Sequence, residues 1–160
     1  MDDGARRAHE FLFNEKRLAA MHVRYAMHMV ESLDDAARGR ADHDYRAAAL
    51  EAQLVNVRAL VDFLGDQPPS SAKDDVTAHA YLPTWTGVAG DDLRDRLITY
   101  RRVVNKYVAH LTWSRVRERQ EPDPDLSPMA DDVRRAFDQF RQQLQAFDPA
   151  AATDFDAPVV

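Results

Sequence analysis

Leu50, Leu54, Val57, Val61 and Leu64 recur at alternating steps of four and three residues. An α-helix turns about 100° per residue, so it gathers positions i, i+4, i+7 and i+11 onto one side; a strand, with a period of two, scatters them. Leu60 and Phe63 widen the apolar arc. Gly65 then stands where a helix C-terminus favours glycine, and "DQPPSS" forbids continuation because proline has no N–H to donate. This segment predicts a bundle helix, and a chain built round it has to supply other helices to cover its seam.

Three further segments answer that need. From Asp3 to Ser32 the chain reads as one long helix, with Phe11, Leu18 and Tyr25 every seven residues and Met21, His22, His28 and Met29 between them; Asp2 or Asp3 is its N-cap. "DDAARGRAD" is read as the connection that follows. The third helix starts near Asp91, read as an N-cap after Gly90. Its seam is Leu93, Leu97, Tyr100, Val104, Tyr107 and Leu111, and it runs to Arg115 or Arg119 before the break "QEPDPDLSP". The fourth opens with Ser127 as N-cap and Pro128 at the first helical position. Asp131 and Asp132 sit near its positive end, and its seam is Val133, Phe137, Phe140, Leu144 and Phe147. Residues 66–90 form a long connection with a short helical turn around Asp74–Tyr81, pinned to the bundle by Tyr81 and Trp85. The expected fold is all-α, an antiparallel four-helix bundle over residues 1–148, with 149–160 as a flexible tail. Leu54, Val57, Val104 and Phe140 should be nearly fully buried.

Composition narrows the chemistry. A chain of 160 residues suits one domain, and only five glycines leave little room for tight turns. With no cysteine there are no disulfides, thiolate nucleophiles or cysteine-bound zinc. The start "MDDGARRAHEF" lacks the basic-then-apolar pattern of a secretory signal, and no apolar run is long enough to span a bilayer, so a soluble, cytoplasmic protein is expected. Glu-x-x-His is absent, His28-x-x-Glu31 being the reversed order, and so is His-Glu-x-x-His. Nor is there a phosphate-cradling glycine loop or a Gly-x-Ser-x-Gly elbow. No metal and no cofactor are expected. The His and Met positions of "MHVRYAMHMV" read as core filler, methionine being adaptable in irregular gaps.

The net charge of −6 is unevenly spread: residues 91–119 hold eight Lys and Arg against four Asp and Glu, which makes that segment +4 and the remainder −10. Such a segment permits an anion-binding face, though intrahelical pairs of Asp91 and Asp95 with Arg94 and Arg96 account for part of it. Glu51, Arg58 and Asp62 lie beside the second helix's seam. They form either a flank salt bridge or a network that orients groups on the third helix.

Within the basic segment lies "VVNKYVAHLTWSR", Val103 to Arg115. Helical rotation puts Asn105 and His110 at opposite borders of the third seam, roughly 80° and 220° on a wheel where Leu97 is zero, with Lys106 and Trp113 on the outer face. A polar residue followed by four positions and then "AH" resembles the HEPN superfamily, as does "NK-x-x-AHLT-x-x-R", here Asn105, Lys106, Ala109, His110, Leu111, Thr112 and Arg115. An upstream "R-x-L-x-D-F", Arg58, Leu60, Asp62 and Phe63, extends the likeness over residues 51–115. The resemblance implies a helical protein of stress or phage-defence type. In that family many members are dimeric, metal-independent RNases of abortive-infection and toxin–antitoxin systems, so it implies RNA as substrate and a second copy or an antitoxin as partner. It places His110 as the proton-transfer group and Asn105 beside it, with Arg58, Arg101, Arg115, Glu51 and Asp62 in support. The hallmark arginine position is Val104. Holding a scissile phosphate therefore requires Arg101, Arg115 or Arg58 to take its place in space. The competing reading is a non-catalytic helical module that dimerises or binds a partner protein.

Overall fold

The computed structural model describes residues 3–38, 43–65, 75–105 and 128–156. Among these the fold is all-helical, with no strand. Helix α1 spans Asp3–Arg38, α2 His43–Phe63, α3 Asp91–Val104, α4 Met129–Phe147 and α5 Pro149–Thr153. Helix α1 packs chiefly on α2, α2 on α3 and α3 on α4, while α4 closes back onto α1 and α2. No helix among the described residues is long and apolar enough to cross a membrane.

Helix α1 differs from its expected form in two ways. It runs past Ser32 to Arg38, since no glycine or proline interrupts the chain before Gly39. Its large apolar residues do not form its seam. Phe11 is 63% exposed, Leu18 55%, Met21 52% and Tyr25 49%. The buried face is Ala20, Ala26, Met27 and Val30, flanked by Ala19 and Val23. Small side chains let α2 come close enough for the buried Gln53 to donate to the Val30 carbonyl at 3.1 Å and to Asp34 Oδ1 at 3.2 Å.

Helix α2 buries Leu54, Val57, Leu60, Val61 and Phe63, and Leu64 just past its end, as the spacing predicts, with Leu50 left at the rim. The connection to α3 is anchored by the two expected aromatics. Tyr81, just after a 3-10 turn at Ala78–Ala80, donates from its hydroxyl to the Lys16 carbonyl at 2.6 Å. Burial, with the charge of Asp154 behind it, pushes this hydroxyl up to about 12, so it remains a donor. Trp85 donates its indole N–H to the Leu64 carbonyl at 3.1 Å, which closes the end of α2. Gly90, at φ 93°, takes the N-cap position expected of Asp91 and turns the chain into α3.

Helix α3 buries Leu93, Leu97, Tyr100 and Val104. Helix α4 begins at Met129, with Pro128 at its cap position; the proposed cap Ser127 lies outside the described residues. Val133, Phe137, Phe140 and Leu144 are buried, but Phe147, expected to continue the seam, is exposed. Phe140 is the hub of the core. Its ring meets Phe63, Trp85 and Phe155 edge-on, at centroid distances of 5.1, 5.7 and 5.3 Å.

The segment read as a flexible tail is docked from Pro149 to Asp156. Asp148 accepts from the Ala151 N–H at 3.0 Å and caps α5, Pro149 fills the first turn, and Phe155 is buried among Phe63, Tyr81, Phe137 and Phe140. Ion pairs of Arg17 with Asp154 and Arg141 with Asp156 hold its outer edge. The domain therefore extends beyond residue 148.

Candidate functional site

Asp62 occupies the last turn of α2 and is partly buried between α2 and α3. Arg58, one turn earlier, brings Nε to 3.7 Å from Asp62 Oδ2, and Arg101 from α3 brings Nε to 2.5 Å from Oδ1. The second contact is ionic rather than an aligned hydrogen bond, for Asp62 Oδ1 has no hydrogen-bond partner. Both arginines are about half exposed. Asn105 follows Arg101 by one helical turn on the same face. It is partly buried, and its Oδ1 is enclosed without a hydrogen-bond partner.

The structure thus brings Arg58, Asp62 and Arg101 together, and helical register sets Asn105 beside them. Glu51 is exposed. His110 and Arg115, with Lys106 and Trp113, lie outside the described residues. Val104, at the hallmark arginine position, is 1% exposed and packed in the core. Arg58 and Arg101 already face the same carboxylate, which offsets one of their two positive charges. A phosphate at this place would compete with Asp62 for them.

A second polar cluster was not foreseen. Asp132, in the first turn of α4, is buried, and Arg96 reaches it from α3 through two hydrogen bonds, Nε to Oδ2 at 2.7 Å and Nη2 to Oδ1 at 3.0 Å. Tyr100 donates its hydroxyl to Oδ2 at 2.8 Å, and Arg135 adds a longer contact. Burial by itself would raise the carboxyl's pKa. The hydrogen bonds from Arg96 and Tyr100 and the charges of Arg96 and Arg135 outweigh it and hold the group below its ordinary range. Tyr100 is raised, first by burial and then by its bond to Asp132. This cluster joins α3 to α4 and is closed to solvent on the carboxylate side, which suits a structural clasp. For Arg96 the sequence suggested only intrahelical pairing with Asp91 or Asp95; the companion pair it suggested, Arg94 with Asp91, is formed.

A third feature is a surface. Phe11, Asn14, Leu18, Met21, Tyr25 and His28 follow one another on α1 at steps of three and four, and all six are exposed. They occupy the side of α1 opposite Ala20, Ala26, Met27 and Val30. Comparison with family models, with curated proteins and with solved structures finds no match to this chain.

Proposed function

We propose that this chain is a HEPN-like four-helix module of stress or phage-defence type that works by association rather than by cutting RNA. The observation that carries the reading is the outward stripe of α1: four large apolar side chains, each about half or more open, in a row at helix-pairing spacing. Two facts at the α2–α3 site weigh the same way. Val104 fills the position where the family's arginine would stand, and of the three arginines that could replace it, Arg58 and Arg101 are tied to Asp62, while Arg115 lies outside the described residues.

A metal-independent RNase is the second reading. In its favour, Arg58 and Arg101 meet on one carboxylate a single turn from Asn105, whose amide oxygen lacks a partner. In that reading His110 moves the proton of the attacking 2′-hydroxyl and the arginines steady the phosphorane. Incubation of the full chain with total RNA and tRNA, without divalent metal and beside His110→Ala, decides between them. No cleavage above the His110→Ala control is expected. Cleavage that His110→Ala removes would overturn the association reading.

A further inference from the structure

We infer that the occupant of the α1 stripe is a second copy of this chain, lying antiparallel across it; this rests on the association reading above. The exposed stripe begins at Phe11 and ends at His28, so its midpoint falls between Ala19 and Ala20. A two-fold axis through that midpoint brings each stripe position onto a different one in the second copy. Leu18 meets Met21 of the second copy, Asn14 meets Tyr25, and Phe11 meets His28. By symmetry each pair occurs twice.

These pairings are chemically matched. The centre is purely aliphatic, with two Leu–Met layers. On either side an asparagine amide faces a tyrosine hydroxyl, and at the ends an aromatic ring faces an imidazole. On one flank the same axis sets Glu15 opposite His22 of the second copy, an acid against a base. On the other flank Arg17 faces Arg24 of the second copy, but Arg17 is already balanced by Asp154 at 3.3 Å. A parallel pairing would instead stack Asn14 on Asn14 and His28 on His28, setting two imidazoles in one layer.

The size is also right. Phe11, Leu18, Met21 and Tyr25 leave on the order of 500 Å² open, as much as the largest patches on typical monomers. Two copies together would cover about 1,000 Å², near the lower bound for a specific interface. The stripe is roughly 26 Å long at 1.5 Å per residue, which two straight helices can follow without supercoiling far. Because its residues are exposed in the single chain, changing them should not unfold it.

The test uses the full chain. Sedimentation equilibrium at micromolar concentration is expected to give twice the chain mass, and Leu18→Ala/Met21→Ala to return it to the single mass with an unchanged helical circular-dichroism signal. Direction is read by cross-linking, for which the absence of cysteine leaves a clean background. Phe11→Cys mixed with His28→Cys is expected to form a disulfide-linked dimer under mild oxidation, while each variant alone forms little. Linkage within each variant alone, and not across the mixture, would overturn the antiparallel arrangement. A wild-type chain that stays monomeric would overturn the second copy as occupant. That result leaves the association reading standing, because the RNA assay alone decides it.

Discussion

In α4, Val133, Phe137, Phe140 and Leu144 are 5% exposed or less, whereas in α1 the similarly spaced Phe11, Leu18, Met21 and Tyr25 are 49–63% exposed. Both stripes are large, apolar and regular. The difference lies in what the rest of each helix offers. Outside its seam α4 carries Asp131, Arg134, Arg135, Gln142, Gln143 and Gln145, all exposed, so it has only one face to bury. Helix α1 has two apolar faces, one of large residues and one of Ala19, Ala20, Val23, Ala26, Met27 and Val30. The small face lets the backbones approach, and Gln53 uses that approach to bond the Val30 carbonyl. Packing density and a satisfied buried amide favour the small face, and the large one is left over. An apolar stripe in a sequence therefore marks a surface to be covered, without saying whether the covering comes from the same chain.

The sharpest way to break this contrast is at the hub of the inward stripe. Phe140→Ala removes a ring that is fully buried against Phe63, Trp85 and Phe155. The loss should be about 3–5 kcal/mol of folding stability, transfer and cavity together. Leu54→Ala, on the facing seam of α2, should cost roughly 2–5 kcal/mol. Urea denaturation of both variants measures this. A Phe140 variant as stable as the parent would mean that α4 does not face the core.

Next in size is the clasp that fixes α4 against α3. Asp132→Ala strands the buried Tyr100 hydroxyl and frees Arg96, and should cost roughly 1–3 kcal/mol at neutral pH. The sign of the pH dependence follows from the depressed carboxyl pKa. A group that holds its proton less tightly when folded contributes stability above its unfolded value, near 3.9, and loses it as pH falls through the lower folded value. The parent should therefore shed this increment in acid, and the variant, having none to shed, should show a flatter profile over the same range. Urea midpoints measured from neutral pH downward test it; parallel profiles would remove Asp132 from the acid response.

These elements were unequally legible in the amino-acid sequence. The seams of α2, of α3 as far as Val104 and of α4 as far as Leu144 could be read because each has a single apolar face bounded by polar residues; Tyr107 and Leu111, expected to continue α3, lie outside the described residues. Leu54, Val57, Val104 and Phe140 are buried accordingly. Tyr81 and Trp85 were readable as anchors because aromatics in a long connection need a place to bury. The direction of α1 was not readable, since two apolar faces fit one period equally well. The docked segment after Phe147 was missed because a helix of five residues has no periodicity. Its local signal, Asp148 before Pro149, is the same cap-then-proline logic applied to Ser127 and Pro128. Asp132 reads as an ordinary acid at a helix N-terminus, and only the tertiary approach of Arg96 makes it a clasp. At the candidate site the Arg58–Asp62 spacing was visible as a helical pair, while the arrival of Arg101 from α3 was left open.

The smallest expected effect is the most informative about the comparison. Leu18→Ala makes the same change of side chain as Leu54→Ala, on the opposite kind of stripe. Leu18 keeps more than half of its surface in water, so its removal leaves no enclosed cavity and forfeits little burial. In protein dilute enough to be monomeric, its folding stability should shift by less than about 0.5 kcal/mol, as for surface changes generally. As the concentration is raised, the parent should gain stability from association, because a partner that binds only the folded chain adds to its apparent stability. The Leu18 variant should gain less. Urea denaturation of parent and variant at low and high protein concentration therefore separates two roles for one leucine. A loss at low concentration as large as that of Leu54→Ala would show that Leu18 belongs to the chain's own core, and the outward assignment of the α1 stripe would fall with it.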